Sequence, residues 1–570
     1  MRVTTSKSKN SESFYVTMSY INDQGKSTSK IYRKLGTLEE LTKKLNTDRD
    51  GVLAWANQQA ALDTVEYQKK NERVMISYSP VARITKDQRR LFSGGYLFCQ
   101  SLYYQLNFDN ICRNISRRHT FEYNLDAILS DLVYTRILEP ASKRASYKSA
   151  QSFLEPVNYK QHDIYRALSV LAQESDYIQS EIYRNSNHIT KRNAGVLYYD
   201  CTNYYFEIEQ EDGMKKYGKS KENRPNPIVQ MGLFMDADGI PIAFDLFDGN
   251  QNEQPTLKPL EQKIIRDFDL SKFVVCTDAG LASKANRKFN SIGNRAFITT
   301  QSIKKLKAQD KELALKPTQW RLLGSNKFIN LEDIDDSVDA LYYKEIPLDT
   351  NDLNQRLIVT FSPKYKKYQQ KIRKQQIERA LSMIEQGERV KNRKNPNDPA
   401  RFIKKHSITN NGEVAQKTLY SLDESAIAYE ATFDGFYAVC TNLEDDVSHI
   451  LNISEQRWKI EECFRITKSE FEARPVHLTR EDRIKAHFLV CFLALLVYRL
   501  LEKKLNHKYT VSEILDTLRN FKFFKEDGYG YIPTYTRTDL TDALHNVFGF
   551  ITDYEFISKS KMREIIKKTK

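Results

Sequence analysis

Apolar and polar positions along the chain change rhythm several times, and each change predicts a different kind of element. In residues 13–36, SFYVTMSYINDQGKSTSKIYRKLG, they alternate about a turn at Asp23 to Gly25, which predicts a small β-hairpin. Thr37 and Glu40 then stand at capping-box spacing, so a helix is expected from Leu38. Between residues 88 and 190 the spacing turns helical, as in NLDAILSDLVYTRILEP and IYRALSVLAQESDYIQSEIY, and predicts an all-α stretch of several helices.

From Gly195 the pattern is one of strands. The first is expected at 196–201, the second at 228–236 and the third at 240–248, and the Asp238-Gly239 turn makes the last two antiparallel. A helix over 256–268 leads to a fourth strand, FVVCTD, ending at Asp278, and a fifth, AFITT, ends at Thr300. Three strands, a helix, then strands alternating with helices is the element order of an α/β ribonuclease-H-like core. In that order the first and fourth strands are neighbours, which sets Asp200 and Asp278 across one strand spacing of about 4.8 Å. An isolated Asp200 in GVLYYDCTNYYFEI would simply cap the turn that Thr202 and Asn203 begin. Two acids so close instead repel unless a cation lies between them.

Residues 301–433 break the alternation. ALYYKEI and QRLIVTFS read as strands, KYKKYQQKIRKQQIERALSMI as a helix and RKNPNDP as a loop, and the core resumes with strand GFYAVCTN. The helix SEQRWKIEECFRITKSEFEARP follows. At ~100° per residue, Arg457, Glu461, Arg465 and Lys468 fall within an arc of about 80°, while Ile460, Cys463, Phe464 and Ile466 fall on a separate arc of about 160°. One face packs and the other presents an acid framed by cations. That face is either a solvated one with Glu and Arg pairs or a third carboxylate with cations that grip phosphates beside it. The longest apolar run, FLVCFLALLVY at 488–498, is too short to span a bilayer and reads as a buried core helix, with His487 beside it as a packing or hydrogen-bonding residue.

These patterns divide the chain into 1–85, a hairpin and helix suited to DNA binding; 86–192, helical, for DNA binding or dimerisation; 193–300 and 434–505, two parts of one core; 301–433, a mostly β insertion domain with a basic segment; and 506–570, helical and suited to dimerisation. A length of 570 residues corresponds to three to five units at roughly 100–200 residues per domain.

Composition adds a polyanionic partner. The formal charge is +14 with a sequence pI near 9.1, and residues 361–406 hold 14 Lys or Arg against 4 Asp or Glu, a net of +10. A solvated helix explains such a segment as well as a nucleic-acid contact does. Lys219, Lys221 and Arg224, in the loop YGKSKENRP stiffened by Pro225 and Pro227, reach either DNA phosphates or solvent. Trp320 is either core or a platform for an unpaired base. The seven cysteines are far apart and nowhere spaced for zinc, which points to a reducing cytosol without a structural metal. The amino terminus MRVTTSKSKNSES has no apolar signal region, so a cytoplasmic protein is expected.

Taken together these residues resemble the DDE transposases of bacterial insertion sequences, in the ribonuclease-H-like or retroviral-integrase superfamily. The likeness is to the group whose core is interrupted by a largely β insertion between the second Asp and the Glu. That group's signature is Tyr, two residues, Arg, three residues, Glu, six residues, Lys; Arg457, Glu461 and Lys468 match it, and Ser454 stands in place of the Tyr. YYDCTNYYFE, YGKSKENRPNPIVQMGLFMDADGIPIAFDLFDGN and VVCTDAGLAS match further, and the resemblance covers about residues 195–500.

The resemblance implies that Asp200, Asp278 and Glu461 are the catalytic residues and hold two ions of Mg²⁺ or Mn²⁺, hard cations content with a few carboxylates and water. It implies DNA contacts by Arg457, Arg465 and Lys468, joined by Lys219, Arg224 and Trp320. The partners would be double-stranded DNA, as terminal inverted repeats and target, and a second copy of the chain in a homodimer; the protein would lie with the nucleoid and away from membranes. The reaction would hydrolyse a phosphodiester at each element end and let the freed 3′-hydroxyl attack target DNA. A metal-dependent nuclease that cuts without joining, or a DNA-binding regulator with a relic core, are the alternatives. Retention of all three acids argues against the relic.

Overall fold

Alternation near the amino terminus builds more sheet than the expected hairpin. β1 (Arg2–Ser8), β2 (Ser11–Ile21) and β3 (Ser27–Thr37) form an antiparallel sheet in that order. The polar first residues carry no apolar signal, yet they pair along β2 from Arg2 opposite Thr17 to Ser8 opposite Ser11, because an open sheet edge has backbone groups to satisfy. Phe14 of β2 packs with Leu41 of α1 (Leu38–Leu45) and with Val52 and Ala56 of α2 (Arg49–Asn71). The capping box forms as spaced: the Thr37 N–H donates to the Glu40 carboxylate at 2.9 Å and the Glu40 N–H to the Thr37 hydroxyl at 3.4 Å. The computed structural model describes residues 1–9, 11–21, 26–71, 73–325, 327–348, 353–386, 397–408 and 417–570, so the expected turn at Asp23 to Gly25 lies outside the described residues, as does most of the loop RKNPNDP. The described chain divides into two compact units, Met1–Gln88 and Arg89–Lys570.

The second unit opens with β4 (Leu91–Ser93) and the helices α3 (Tyr96–Gln105), α4 (Phe108–Arg118), α5 (Leu125–Leu138), α6 (Lys143–Ala150), α7 (Gln161–Gln173) and α8 (Ser175–Ile189). The strands follow: β5 (Val196–Tyr205), β6 (Ile228–Asp236), β7 (Pro241–Asp248), then α9 (Leu257–Asp267), β8 (Val274–Thr277), α10 (Lys284–Phe289) and β9 (Ala296–Thr300). The other four strands and α9 lie within a residue or two of their expected places, while β5 runs four residues past its expected end at Cys201 and α10 was not expected; strand alternation and the Asp238-Gly239 turn are local signals, and Gly239 takes φ 82°, a conformation glycine adopts at least cost.

Residues 301–433 differ from the expected separate β domain. They supply α11 (Ala308–Leu315), β10 (Trp320–Leu322), β11 (Phe328–Ile329), β12 (Tyr342–Pro347), β13 (Arg356–Phe361), α12 (Pro363–Glu385), β14 (Ile403–Ile408), β15 (Lys417–Leu422) and α13 (Glu424–Ala431), and β16 (Phe436–Thr441) comes next. Four of these strands extend the central sheet, which has ten strands in the order β11-β10-β12-β13-β16-β9-β8-β5-β6-β7. β5, β8 and β9 run parallel and the other neighbours antiparallel. Only β14 and β15 form a small sheet of their own, against α12 and α13, with Ala380, Phe402 and Ile403 as its core.

α14 (Val447–Glu455), α15 (Trp458–Arg465) and α16 (Glu481–Lys504) return the chain to the helices. α16 is buried from Ala486 to Glu502, against α3, α5 and α7 and the face of β7. Among the described residues it is the one helix long and apolar enough to cross a membrane; 94% of its apolar stretch is covered by protein, the position of a core helix. Each large side chain buried there contributes roughly 1.5–3 kcal/mol. The carboxy-terminal residues, expected to be helical, hold α17 (Val511–Asn520), β17 (Lys522–Glu526), β18 (Gly530–Pro533), α18 (Asp539–Phe548), β19 (Ile557–Ser558) and α19 (Lys559–Lys568). Their strands join β4 in a sheet of order β19-β18-β17-β4, turned at Gly528 with φ 87°, a pairing partner hundreds of residues away in sequence. All seven cysteines are free and buried.

Candidate active site

Sheet register positions the two aspartates. β5 and β8 run parallel with Val196 beside Val274 and Tyr198 beside Cys276; two residues further, the same register is Asp200 beside Asp278. Asp278 follows the last residue of β8, and its Oδ1 accepts the N–H groups of Gly280 at 2.9 Å and Leu281 at 3.1 Å. Asp200 Oδ1 accepts the N–H of Cys201 at 2.7 Å. Burial pushes Asp200 up to about 6, its neighbour Asp278 adds to the rise, and Lys221 and Arg457 oppose it. A Cβ on Gly280 would lie 3.2 and 3.3 Å from the Asp278 oxygens, so the glycine keeps the space before that carboxylate open.

Glu461 is held differently. It lies in the first turn of α15, whose Ile460, Cys463 and Phe464 are buried. Its side chain is 59% exposed and pairs with Arg457 at 3.2 Å. Asp200, Asp278 and Glu461 do not close on one another: among the described residues, the group of three ligating side chains whose donor atoms all lie within 4.8 Å of one another is Asp542, His545 and Asp553. That group already holds a cation, since Arg537 pairs with Asp542 at 2.7 Å and Asp553 at 3.8 Å.

The cation face expected on this helix is split. Past Arg465 the chain winds as a π-helix over Ile466–Glu470, so a uniform turn of ~100° per residue no longer applies. Lys468 turns inward, 13% exposed, with Nζ 3.4 Å from Glu222 and 5.5 Å from the centre of the Tyr204 ring. Burial pushes its pKa down to about 8. Arg465 stays 53% exposed, 3.7 Å from Glu462. Ser454, in the place of the signature Tyr, is buried at the end of α14, and its carbonyl accepts the Arg457 N–H at 3.3 Å.

The loop 219–224 folds over the end of β5. Lys219 is exposed and its carbonyl accepts from the Asn203 amide at 3.1 Å. Lys221 pairs with Glu253 at 3.0 Å and bonds the Cys201 carbonyl, and Arg224 lies 4.2 Å over the Tyr205 ring. Trp320 is not a platform for a base: it is fully buried against Phe361 and Phe436, with its indole N–H donating to the Lys316 carbonyl at 2.8 Å. Four cations of the basic segment pair with acids from outside it, Lys364 with Asp339, Lys366 with Asp336, Arg373 with Asp434 and Arg401 with Glu430. Glu222, which takes both Lys468 and Arg474, and Glu462, which takes Arg499 at 2.8 Å, were passed over in sequence. No periodic signal marks Glu222, which sits in an irregular loop.

The profile of the transposase DDE domain family matches residues 200–497, from Asp200 into α16 and over more than half of the chain. The chain belongs to the transposase DDE domain family. Among solved structures this DDE transposase chain is similar to a piggyBac transposase in a synaptic complex with hairpin DNA, determined by cryo-EM. The match has 8% identity and a TM-score of 0.37 and covers 83% of this chain and 88% of that one, a likeness too distant to transfer any residue's role. No curated protein matches the chain.

DDE transposases work with divalent metal ions, and the aspartates of this domain suit one. Both are hard oxygen donors of the kind Mg²⁺ and Mn²⁺ take, and Asp278 raises the pKa of Asp200, a repulsion that a divalent ion offsets. The space kept by Gly280 lies before them. Glu461 is turned to Arg457 rather than to the aspartates.

Proposed function

We propose that this transposase binds the ends of its mobile element and carries out metal-dependent strand cleavage and strand transfer on a ribonuclease-H-like core. The observation that carries the reading is the adjacency of Asp200 and Asp278 on the parallel strands β5 and β8, inside the region matched by the family. Asp200, Asp278 and Glu461 would hold two ions of Mg²⁺ or Mn²⁺. Bound there, the ions would supply activation of an attacking oxygen and charge stabilisation of a leaving oxygen in an in-line displacement.

The chain's own residues would grip and orient the DNA. Arg457 and Lys221, which both act on Asp200, are cations beside the reacting phosphate. Arg465, Lys219 and Arg224 would take backbone phosphates further out, and Lys468 is held at the inner edge by Glu222. One site serves both steps because each is a displacement at phosphorus. In the first, water forms a P–O bond as the bond to the element's 3′-oxygen breaks, leaving a 3′-hydroxyl; in the second, that oxygen bonds to a target phosphorus as the target's own 3′-oxygen leaves. Two element ends imply two copies of the chain, with the helices of 86–192 and the carboxy-terminal residues as the surfaces for pairing.

The test is incubation of the purified protein with labelled DNA carrying the element's ends and a plasmid target, with and without Mg²⁺, beside a Glu461→Ala control. Metal-dependent nicking followed by joining, absent in the control, is expected. Nicking without joining would make the protein a nuclease, and binding without either reaction a regulator.

A further inference from the structure

A cavity of about 150 Å³ opens between α6, α7, residues 471–478 and the start of α16. Its walls are cationic. Arg136, Lys143, Arg474, His477 and His487 line it, against the one acid Glu472, whose side chain is exposed. Arg136 and Lys143 are only 3% and 5% exposed, so their charge is held away from water, a costly arrangement without a counter-charge, and His487 beside them is 6% exposed.

Among the described residues no carboxylate pairs with Arg136 or Lys143, while Arg474 pairs with Glu222. Arg136 donates to the carbonyls of Phe471 and Ala141, both at 3.0 Å, and its Nε has no partner. Lys143 Nζ faces His487 Nδ1 at 3.4 Å. The other ring nitrogen of His487 lies 3.1 Å from the Ala473 carbonyl, which can only accept, so Nε2 carries the hydrogen and Nδ1 is the acceptor for Lys143. Burial pushes Lys143 down to about 7, with Arg136 adding to the fall and no carboxylate among the groups that act on it. Burial, with Lys143 and Arg136, holds His487 well below its ordinary range. Ser142 caps α6 and Lys143 is its first residue, so the helix amides add positive potential at the same place.

We propose that this cavity seats a tetrahedral phosphate oxyanion, received from Lys143, Arg136 and the Ser142 end of α6. On the transposase reading above, on which this assignment of source rests, the phosphate belongs to a DNA nucleotide other than the one being cut. Tyr204, four residues beyond Asp200 on β5, packs on Phe488 at 4.7 Å, and Phe488 on His487 at 5.2 Å. Four residues of strand span about 13 Å. Arg474 lines the cavity and also pairs with Glu222, the partner of Lys468, whose charge in turn feels Asp200. A free phosphate group offers the same chemistry, and the two sources are separable.

Orthophosphate is titrated into the full, DNA-free chain by calorimetry at constant ionic strength, beside Lys143→Gln and His477→Glu; the second change is on an exposed rim residue and keeps the test valid if the first variant does not fold. Saturable binding by the unaltered chain, weakened at least about ten-fold by either change, is expected. No saturable binding, or binding that both changes leave intact, overturns the site. The same variants are then bound to DNA over a range of salt: a slope reduced by about one phosphate contact assigns the seat to DNA, whereas an unchanged slope with lost orthophosphate binding assigns it to a free phosphate group. The orthophosphate arm needs no cleavage, so its failure is distinct from failure of the transposase reading.

Discussion

Two regions of the larger unit hold charge away from water, with opposite signs. On β5 and β8, Asp200 and Asp278 sit side by side, and their repulsion and burial push Asp200 up to about 6. Behind them, Arg136 and Lys143 share a cavity with His487, and burial pushes Lys143 down to about 7. Burial disfavours the charged form of Asp200 and of Lys143 alike, a cost that a counter-charge offsets. On the proposed function the acids would take a divalent cation between them, and at the proposed phosphate seat the bases would take an oxyanion. The acids differ from the bases in one respect. Lys221 and Arg457 stand at the acid pair and moderate it, while no acid moderates Lys143.

The comparison breaks most severely at the acids. Asp278→Ala or Asp200→Ala is expected to lower cleavage of element-end DNA by about 10³-fold or more while end binding is kept; wild-type cleavage by either variant would remove the pair from the mechanism. Next comes the ligand itself. Mg²⁺ in excess is expected to raise the melting temperature of the unaltered chain, by about 2.7 kcal/mol of stability at a hundred times its Kd, and to do less for Asp200→Asn. Equal shifts would mean that the ion binds elsewhere.

Two smaller effects sharpen the contrast. Arg457→Ala is expected to reduce the salt slope of DNA binding by about one, and Arg465→Ala, whose pair is exposed, by less; the reverse order, read from affinities across salt, would reassign the phosphate contact. Lys143 supplies the pH test. Its folded pKa lies below its ordinary 10.5, near 7, so the destabilisation is complete below pH 7 and relieved as pH rises towards 10.5, where the unfolded chain also loses the proton. Arg136 on α5, Tyr165 on α7, His487 and Cys491 on α16, and Glu472, Arg474 and His477 in the loop are the titratable or charged groups around it. Denaturation at about pH 6 and about pH 9 should show the unaltered chain gaining on Lys143→Gln, and parallel curves would count against a buried charge.

Legibility in the sequence followed the range of the interactions. Asp200 and Asp278 were readable because strand alternation and a glycine turn are local, and the element order then dictated which strands are neighbours. Glu461 and its pairing with Arg457 four residues before it were readable from the helix, yet the inward turn of Lys468 was not, since the π-helical turn at Ile466–Glu470 has no mark in the residue spacing. Trp320 offered the ambiguity of any lone aromatic, and only its neighbours Phe361 and Phe436 decided for the core. The charge of 361–406 left its partner open, and only the tertiary structure shows four of its cations paired with acids from other segments.

By itself, the sequence determined the strands β5 to β9, the family motif and the candidate acids, all of which depend on residues a few positions apart and on backbone preferences that act locally. Tertiary structure alone decided that the strands of 301–433 join the central sheet, that β4 pairs with β17 near the carboxy terminus, and that Arg136, Lys143 and His487 meet in one cavity. These three come from α5, α6 and α16, hundreds of residues apart in the last case. Nothing in the local pattern of any of them could announce the others, because burial of a charge is a property of what surrounds it and not of the residue that carries it.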